Sequence, residues 1–339
     1  SGLPLLADPL SGARYGPAAG ALVVAGYDLF LRDEGVREAL SPSLILRVGA
    51  SPTSAALQRW LVHHDGVEHV VVDPGGRWKD HGATATRYIV ADPADTLRRL
   101  ATRWMGGSDA AAAPKAELAW ADRWLRASSA AREALEGHDC REGAVASAVV
   151  DALPAGGTLF VSSSMPVRDV DAFAHPRDVA VTVLANRGAS GIDGVVSSAF
   201  GVASRSAGPT LCLLGDLAFF HDRNGLLWSR EPDAPVVFVL VDNDGGGIFH
   251  MLPIAEHEPD FTRYFATPHG VEPGPVAQAH GIDCSDVEAS ALSAALREAL
   301  DAGRTAILRV RTNRDENRRA RARVEASVPR SVRKALALD

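Results

Sequence analysis

The chain has 339 residues, of which 46% are hydrophobic and 23% are charged, and its formal net charge is -7. This length predicts about two globular domains, since a domain commonly holds roughly 100–200 residues. The composition excludes a disordered or fibrous chain, and no apolar run reaches the roughly 18 residues that a membrane helix needs. The acidic charge gives no bulk attraction for nucleic acid or an anionic membrane, so we expect neither as a partner.

The first residues and the cysteines indicate a cellular compartment. Asp8 and Pro9 come too early for a secretory signal, and Cys140, Cys212 and Cys284 are far apart and lack the spacing of a metal site. We therefore expect a cytoplasmic protein with neither a disulfide framework nor a zinc site.

Short apolar runs alternate with helix-like stretches in the first part of the chain. Residues 21–25, 44–48 and 69–72 predict strands, and residues 54–63 and 96–104 predict helices. Small residues ending in a proline at 106–114 predict a linker, and an alanine-rich helix follows over 115–136. This alternation is typical of a parallel sheet with helices on both faces, and it predicts a Rossmann-like α/β domain over residues 1–125.

The second part of the chain has the same rhythm. The apolar runs at 158–161, 179–183, 210–214 and 236–241 predict central parallel strands, with a helix over 219–230. A basic stretch at 311–323 predicts a solvated helix. The expected fold is α/β with two doubly wound parallel-sheet domains, the second covering residues 140–339 and ending in a helix.

Two polar residues follow neighbouring predicted strands. Asp216 comes after the strand at 210–214 and Asn243 after the strand at 236–241, so both fall at the carboxyl edge of the sheet, where ligands bind. A carboxylate, an amide oxygen and a loop carbonyl suit Mg²⁺, and the backbone of 245–247, which is all glycine, can approach phosphates closely. The alternative is an ordinary Gly-Asp turn and a glycine-rich loop. The pair in this strand context favours a site for a metal and a diphosphate.

The chain carries four dense blocks of sequence, SSSMPVRD at 162–169, NRGASGIDG at 186–194, GDLAFFHDRN at 215–224 and DNDGGGIF at 242–249. These blocks resemble the thiamine-diphosphate enzymes, and within them the MenD family of 2-succinyl-5-enolpyruvyl-6-hydroxy-3-cyclohexene-1-carboxylate synthases. Gly215, Asp216 and Asn243 resemble the GDG…N signature of these enzymes. The chain departs from it at two positions, since Leu217 replaces the usual glycine after the aspartate and Asp242 replaces the first of the usual pair of asparagines. DPLSG at 8–12 and GASPT at 49–53 also resemble this family, so the resemblance extends over essentially the whole chain.

The resemblance implies a reaction and its cofactors. Members of this family decarboxylate 2-oxoglutarate on thiamine diphosphate and add the resulting carbanion to isochorismate, in menaquinone biosynthesis, with Mg²⁺ or Mn²⁺ as the metal. It also implies a homodimer or tetramer, in which the pyrimidine-binding domain of another subunit completes the cofactor site. The chain resembles only the central and diphosphate-binding domains. The glutamate that activates the pyrimidine belongs to the other domain, so no catalytic residue is assigned and we expect the chain alone to be inactive.

The resemblance also implies roles for individual residues. Asp216, Asn243 and the carbonyl of Gly245 match the metal ligands. The residues that match the cofactor site are Ser162, Ser164, Gly215, Asp216, Leu217, Asn243, Gly245, Gly246, Gly247 and Ile248. Those that match the substrate site are Ser164, Arg168, Arg187, Phe249 and Leu252. A guanidinium can bind a carboxylate through two parallel hydrogen bonds, which suits two carboxylate substrates.

At one position the chain does not match the family, and two alternative functions remain open. Ala55 stands where the family often has a basic residue thought to bind substrate; either Arg59, one helical turn further on, replaces it, or substrate affinity is lower. The open alternatives are a non-catalytic two-domain binding fragment and a lyase of the acetolactate-synthase type. We expect His221, His250 and His257 to be structural or peripheral.

Overall fold

The computed structural model describes residues 3–17, 23–106, 115–187, 190–231 and 233–338. Its contacts divide the chain into two compact units. Unit 1 comprises Ser1–Leu6, Leu22–Ala134 and Glu325–Asp339, and unit 2 comprises Ala7–Ala21 and Leu135–Val324. The predicted domains, 1–125 and 140–339, are continuous segments, whereas each unit takes in a piece from the opposite end of the chain.

Ion pairs link each of these end pieces to the rest of its unit. In unit 2 the guanidinium of Arg14 lies 2.7 Å from Asp171 Oδ1 and donates to the carbonyl of Ala174 at 2.8 Å. In unit 1 Arg333 Nη1 lies 3.3 Å from Asp33 Oδ1. Neither pairing can be read from local sequence, because the partners are far apart along the chain.

Unit 1 contains a three-stranded parallel sheet in the order β1-β2-β3. Its strands are β1 (Leu44–Val48), β2 (Glu68–Val72) and β3 (Arg87–Ile89). Its helices are α1 (Tyr27–Phe30), α2 (Glu34–Ala39), α3 (Ala55–His63), α4 (Pro93–Gly106) and α5 (Lys115–Leu135). The strands predicted at 44–48 and 69–72 and the helix at 54–63 are confirmed to within one residue. The strand predicted at 21–25 is wrong within its described residues, where Val23 forms only a single bridge with Leu5.

The linker predicted at 106–114 lies, apart from residue 106, outside the described residues. Beyond it, the helix predicted at 115–136 is confirmed as α5. Trp124 on α5 is fully buried, and its ring lies 5.6 Å from that of Trp60 and 6.2 Å from that of Phe30. Aromatic pairs at these distances and angles are favourable, so this cluster anchors α5 in unit 1.

Unit 2 contains a six-stranded, wholly parallel sheet in the order β5-β4-β6-β7-β9-β8. Its strands are β4 (Thr158–Val161), β5 (Thr182–Leu184), β6 (Thr210–Gly215), β7 (Val236–Asp242), β8 (Asp283–Asp286) and β9 (Ala306–Arg311). Its helices are α6 (Arg141–Ala152), α7 (Met165–Phe173), α8 (Val195–Ala203), α9 (Asp216–His221), α10 (Pro273–Ala279), α11 (Leu292–Asp301) and α12 (Arg314–Ala335), the last of which continues into unit 1.

Two separate apolar clusters cover the faces of this sheet. Residues of α6, α7 and α11 pack with Val239 and its neighbours on one face, and residues of α8, α9 and α10 pack with Phe238 and its neighbours on the other. Consecutive strand residues thus enter opposite clusters, as they must in a sheet with a side-chain period of two. The prediction of an α/β fold with parallel sheets and interleaved helices is confirmed.

Several predicted elements of unit 2 differ in their bounds. The strand predicted at 179–183 is observed as β5, which is shorter and shifted. The helix predicted at 219–230 is two pieces, α9 and a 3₁₀ segment over Arg223–Arg230. Between them Asp222 accepts hydrogen bonds from the backbone N–H of Ser197 at 2.7 Å and from its hydroxyl at 3.0 Å. These bonds to a neighbouring helix hold the chain at the break.

The basic helix predicted at 311–323 is observed only from Arg314 onward, as part of α12, because Arg311 ends β9, and it is not wholly solvated. Arg321 is buried and pairs with Asp169. None of the described helices combines the length and the apolar composition that a membrane span requires.

Candidate metal and diphosphate site

The site predicted from sequence forms at the carboxyl ends of β6 and β7, which are adjacent and parallel. β6 ends at Gly215, and Asp216 begins α9. The Oδ2 atom of Asp216 accepts backbone hydrogen bonds from Asn243 at 3.2 Å and from Gly245 at 2.9 Å. The three residues predicted to bind the metal are therefore neighbours in space.

The carboxyl of Asp216 is 2% exposed, and no lysine or arginine among the described residues forms an ion pair with it. Burial raises its pKa to about 6, hydrogen bonds from the backbone of Gly245 and Leu217 oppose this, and the charge of Asp242 adds to it. A buried carboxylate is costly unless a cation or several donors compensate its charge. The backbone donors supply part of that compensation, and a bound cation would supply the rest.

The side chain of Asn243 completes the donor set. Its Nδ2 donates to Glu142 Oε1 at 3.0 Å. Its Oδ1 is buried and has no hydrogen-bond partner among the residues that the structure describes. A buried, unpaired amide oxygen beside a buried carboxylate is the kind of oxygen donor that Mg²⁺ or Mn²⁺ requires, so the residues present fit a divalent cation.

Asp242 is a second acidic residue at this place, since potential ligand atoms of Asp216, Asp242 and His269 lie within 4.8 Å of one another. The Oδ2 atom of Asp242, however, contacts Arg309 Nε at 2.6 Å and Nη2 at 2.5 Å, and its Oδ1 accepts the N–H of Asp244 at 3.2 Å. Both carboxylate oxygens of Asp242 are thus engaged within the protein, one by Arg309 and the other by the backbone of the loop. We therefore assign it to the support of the loop and not to the metal.

His269 is likewise occupied by the protein. Its Nδ1 accepts the backbone N–H of Val271 at 3.0 Å, which in the neutral ring leaves the proton on Nε2. That Nε2 lies 3.5 Å from Asp216 Oδ2. A protonated nitrogen cannot bind a metal, and this Nε2 is buried without a hydrogen-bond partner among the described residues.

The loop glycines are needed by the packing of the protein itself. Gly245 has φ 136°, and a Cβ there would lie 2.1 Å from the carbonyl oxygen of Ala266. A Cβ at Gly246 would lie 2.5 Å from the carbonyl oxygen of Phe265, and one at Gly247 would lie 2.9 Å from Asn243 Nδ2. The close approach of this backbone to phosphates remains a prediction, because the packing alone accounts for the glycines.

The predicted serines and arginines follow β4 and β5, at the same edge of the sheet. Ser162 is fully buried, and its Oγ has no partner among the described residues. Ser164 has φ 71° and precedes α7, and its carbonyl accepts a hydrogen bond from Arg168 Nη1 at 2.7 Å. Arg187 is exposed, with Nη1 3.5 Å from the Oγ of Ser163. Their contact with cofactor or substrate remains a prediction.

The predicted apolar wall lies on a 3₁₀ segment over Gly247–Met251 and just beyond it. The ring of Phe249 packs at 5.7 Å against that of Phe265. Ile248 is partly exposed and Leu252 is 48% exposed. Phe249 thus has a packing role of its own, while Ile248 and Leu252 are accessible to a ligand.

Ala55 and Arg59 line one surface cavity of unit 1. Arg37, Gln58, His63 and His81 form other parts of its wall. Arg59 therefore presents a positive charge beside Ala55, and its role as the replacement for the basic residue of the family remains open.

Four residues near the site were not predicted from sequence: Glu142, His269, Arg309 and Arg314. Arg314 Nη1 donates to the carbonyl of Asn243 at 2.5 Å and also to that of Asp244. Of these four, only Glu142 could have been recognised from the sequence, because it falls on the apolar stripe of α6 with Val145, Ala146 and Val149. A charged residue on such a stripe indicates a buried polar contact.

Comparisons with known proteins identify a family model and several relatives that are similar to this chain. Residues 172–310 match the family model described as "Thiamine pyrophosphate enzyme, C-terminal TPP binding domain", a range that includes Asp216 and Asn243. Three relatives carry the name 2-succinyl-5-enolpyruvyl-6-hydroxy-3-cyclohexene-1-carboxylate synthase. The protein of Halobacterium salinarum is 44% identical over 329 residues, which is 96% of this chain and 54% of the relative.

The other two are similar over nearly the same extent. The protein of Chloroflexus aurantiacus is 40% identical over 93% of this chain and 54% of its own length. That of Geobacillus thermodenitrificans is 40% identical over 93% of this chain and 53% of its own length. The chain therefore spans about half the length of the curated relatives it matches.

Proposed function

Because the chain belongs to the MenD family, we propose that it supplies the metal- and diphosphate-binding half of an active site that joins 2-oxoglutarate to isochorismate. In the proposed reaction 2-oxoglutarate loses CO₂, and its remaining four-carbon unit forms a carbon–carbon bond with isochorismate. The observation that carries the proposal is the buried carboxylate of Asp216 beside the backbone of Gly245 and the unpaired amide oxygen of Asn243.

In this proposal Asp216, Asn243 and the carbonyl of Gly245 hold Mg²⁺ or Mn²⁺, and the cation holds the diphosphate of thiamine diphosphate. Bound thiamine diphosphate supplies the electron sink that stabilises the carbanion left by decarboxylation. The remaining cofactor contacts come from Ser162, Ser164, Gly215, Leu217, Gly246, Gly247 and Ile248. Ser162 supports this assignment, since its buried hydroxyl lacks a partner among the described residues.

Substrate recognition falls to Arg168 and Arg187, with Ser164, Phe249 and Leu252. Both substrates carry carboxylates, and a guanidinium binds a carboxylate with charge-assisted hydrogen bonds. The contact of Arg168 with the carbonyl of Ser164 restrains its side chain, which lowers the conformational entropy lost on binding. Phe249 and Leu252 provide an apolar wall.

The proposal includes a second half of the site. Since the chain spans about half the length of its relatives, we propose that a pyrimidine-binding domain of another subunit supplies the activating glutamate, in a homodimer or tetramer. We expect the 339-residue chain alone to be inactive for the same reason.

The test is Asp216→Asn in the complete enzyme. Loss of the negative charge removes the main attraction for the cation, so we expect Mn²⁺ binding in the presence of thiamine diphosphate to weaken at least about tenfold, a loss of roughly 1.4 kcal/mol. Electron paramagnetic resonance of free Mn²⁺ measures this, and synthesis from 2-oxoglutarate and isochorismate should be lost with it. Asp233→Asn, the same change at an exposed residue, is the control. Wild-type Mn²⁺ affinity in Asp216→Asn would contradict the metal assignment, and turnover of pyruvate alone by the wild type would favour a lyase of the acetolactate-synthase type.

A further inference from the structure

Glu142 is a buried acidic residue that the proposed reaction does not use. It lies in the first turn of α6 and is 4% exposed. A single oxygen, Oε1, accepts hydrogen bonds from Asn243 Nδ2 at 3.0 Å and from the hydroxyl of Thr312 at 2.8 Å. All three residues belong to unit 2.

This position is an unfavourable one for a carboxyl group. The neighbouring residues on the same stripe, Val145, Ala146, Val149 and Val150, belong to an apolar cluster. Burying a polar group among them costs stability unless its hydrogen bonds compensate. A leucine would suit the stripe but would leave the Asn243 amide and the Thr312 hydroxyl without this acceptor, so the acceptor has a role beyond packing.

The amide of Asn243 gives that reason. An asparagine side chain ends in an oxygen and an NH₂ group of nearly equal size, and only the oxygen can bind a cation. Glu142 holds the NH₂ group, and Oδ1 is left without a hydrogen-bond partner in the described part of the chain. Gly247 makes room for this arrangement, since a Cβ there would lie 2.9 Å from Nδ2.

We propose that Glu142 is a positioning residue, which fixes the amide of Asn243 so that Oδ1 faces the cation. The inference rests on the proposed function, in which a divalent cation binds beside Asp216. Thr312 holds the acceptor in place, because its hydroxyl donates to the same Oε1 atom and its backbone N–H donates to the carbonyl of Asp242 at 2.9 Å. Positioning of Asn243 requires only a hydrogen-bond acceptor at the place of Glu142 Oε1, and not a negative charge.

Two substitutions separate the acceptor from the charge. Glu142→Leu removes the acceptor and suits the apolar stripe, so the amide is free to turn its NH₂ group toward the cation. Glu142→Gln keeps an oxygen at the same place and loses only the charge. Since residues that orient a metal ligand contribute about 10- to 100-fold to metal affinity, we expect Glu142→Leu to weaken Mn²⁺ binding by that factor and Glu142→Gln to stay within about threefold of wild type.

A second background separates positioning from a general structural effect. The complete enzyme is titrated with Mn²⁺ in the presence of thiamine diphosphate, and free Mn²⁺ is measured by electron paramagnetic resonance. In an Asn243→Ala background there is no amide to orient, so adding Glu142→Leu should change the remaining affinity by less than about twofold. Equal weakening in both backgrounds would show a structural effect and overturn the proposal.

The remaining outcomes are also decisive. If Asp216→Asn abolishes Mn²⁺ binding while Glu142→Leu binds like wild type, the metal site stands and the positioning role is overturned. If Asp216→Asn binds like wild type, the proposed function itself fails. If Glu142→Leu does not fold by circular dichroism, Glu142→Asp replaces it, since it keeps the charge and withdraws the acceptor by one methylene; wild-type affinity in that variant would overturn the proposal.

Discussion

At the scale of the residue, the pairing of Asp242 with Arg309 bears on one departure from the expected signature. The resemblance leads us to expect an asparagine there, and an aspartate so close to Asp216 would repel it. Arg309, which is 5% exposed, binds the carboxylate of Asp242 through Nε and Nη2 and so weakens this repulsion, although the charge of Asp242 still raises the pKa of Asp216. The departure is therefore accompanied by a cationic partner on the neighbouring strand β9, which Asp242 shares with Glu272 and Asp286.

The conformation of Gly245 leads to a residue-scale prediction. Its φ is 136°, and a Cβ added there would lie 2.1 Å from the carbonyl oxygen of Ala266, so Gly245→Ala must displace the loop. We expect unfolding of the variant to require about 1–3 kcal/mol less free energy, the usual cost of such backbone strain. We also expect weaker Mn²⁺ binding, because the Gly245 carbonyl is a proposed ligand. Urea denaturation and Mn²⁺ titration measure the two effects.

The control for this substitution is Gly201→Ala on α8. A Cβ at Gly201 meets no atom within 4 Å, and its φ is not in the left-handed region. In a helix, replacing glycine by alanine stabilises by roughly 0.5–1 kcal/mol. If Gly245→Ala were as stable as Gly201→Ala and bound Mn²⁺ like wild type, the strained loop would have no part in the site.

At the scale of the element, the start of α3 depends on one side chain. Ser54 Oγ accepts the N–H of Leu57 at 3.0 Å, and its hydroxyl donates to Asp28 Oδ1 at 2.7 Å. Ser54→Ala removes the N-cap and one partner of a buried carboxylate, so we expect the free energy of unfolding to fall by about 1–2 kcal/mol. Urea denaturation monitored by circular dichroism measures this loss.

Ser129→Ala is the matched control, because Ser129 lies within helix α5 and its hydroxyl donates to Glu133 in an exposed hydrogen bond at 3.3 Å. Alanine has the higher helix propensity, so this change should be neutral or slightly stabilising. Equal effects of the two substitutions would mean that Ser54 does not cap α3.

The elements also show what sequence could predict. The central strands β4, β6 and β7 were predicted to within one residue, because a strand buried on both faces is an unbroken apolar run bounded by turn residues. The pattern predicts β5 at the wrong residues, because β5 is a three-residue edge strand with exposed ends, and it does not separate α9 from the 3₁₀ segment that follows it. The break depends on contacts of Asp222 with α8, which no local pattern records.

The candidate site divides in the same way. Asp216, Asn243 and Gly245 could be predicted, since they follow adjacent strands and carry a motif. Arg309 could not be predicted, because its importance arises only when β9 pairs with β7 and brings it beside Asp242. Residues that support a site come from many elements and need no fixed spacing, whereas ligands at strand ends do.

At the scale of the whole molecule, the two units differ in their buried titratable groups. In unit 1, burial lowers the pKa values of His64 and His69, with the charge of Arg47 adding to the effect on His69. In unit 2, burial lowers the pKa values of two histidines, but it raises the pKa values of four carboxyl groups. The two histidines are His138 and His250. The four carboxyl groups are those of Glu142, Asp151, Asp169 and Asp216.

The two kinds of shift act on stability with opposite signs. A histidine whose pKa is lower in the folded state takes up its proton first in the unfolded state, so stability falls as pH drops below about 6.5. A carboxyl group whose pKa is raised takes up its proton first in the folded state, so stability rises as pH drops from about 7 toward 4. Between pH 7 and pH 5 the shifted histidines of unit 1 only destabilise, while the shifted groups of unit 2 partly cancel.

We therefore predict that acidification from pH 7 to pH 5 loosens unit 1 more than unit 2. Hydrogen exchange followed by mass spectrometry, corrected for intrinsic rates, should show a larger fall in opening free energy for β1 and β2 than for β6 and β7. His64→Asn removes one titrating group and should reduce the fall in unit 1, whereas His81→Asn, at an exposed histidine of the same unit, should leave it unchanged. An equal or larger fall in opening free energy for β6 and β7 would contradict the prediction. It would mean that the carboxyl groups of unit 2 do not offset its histidines.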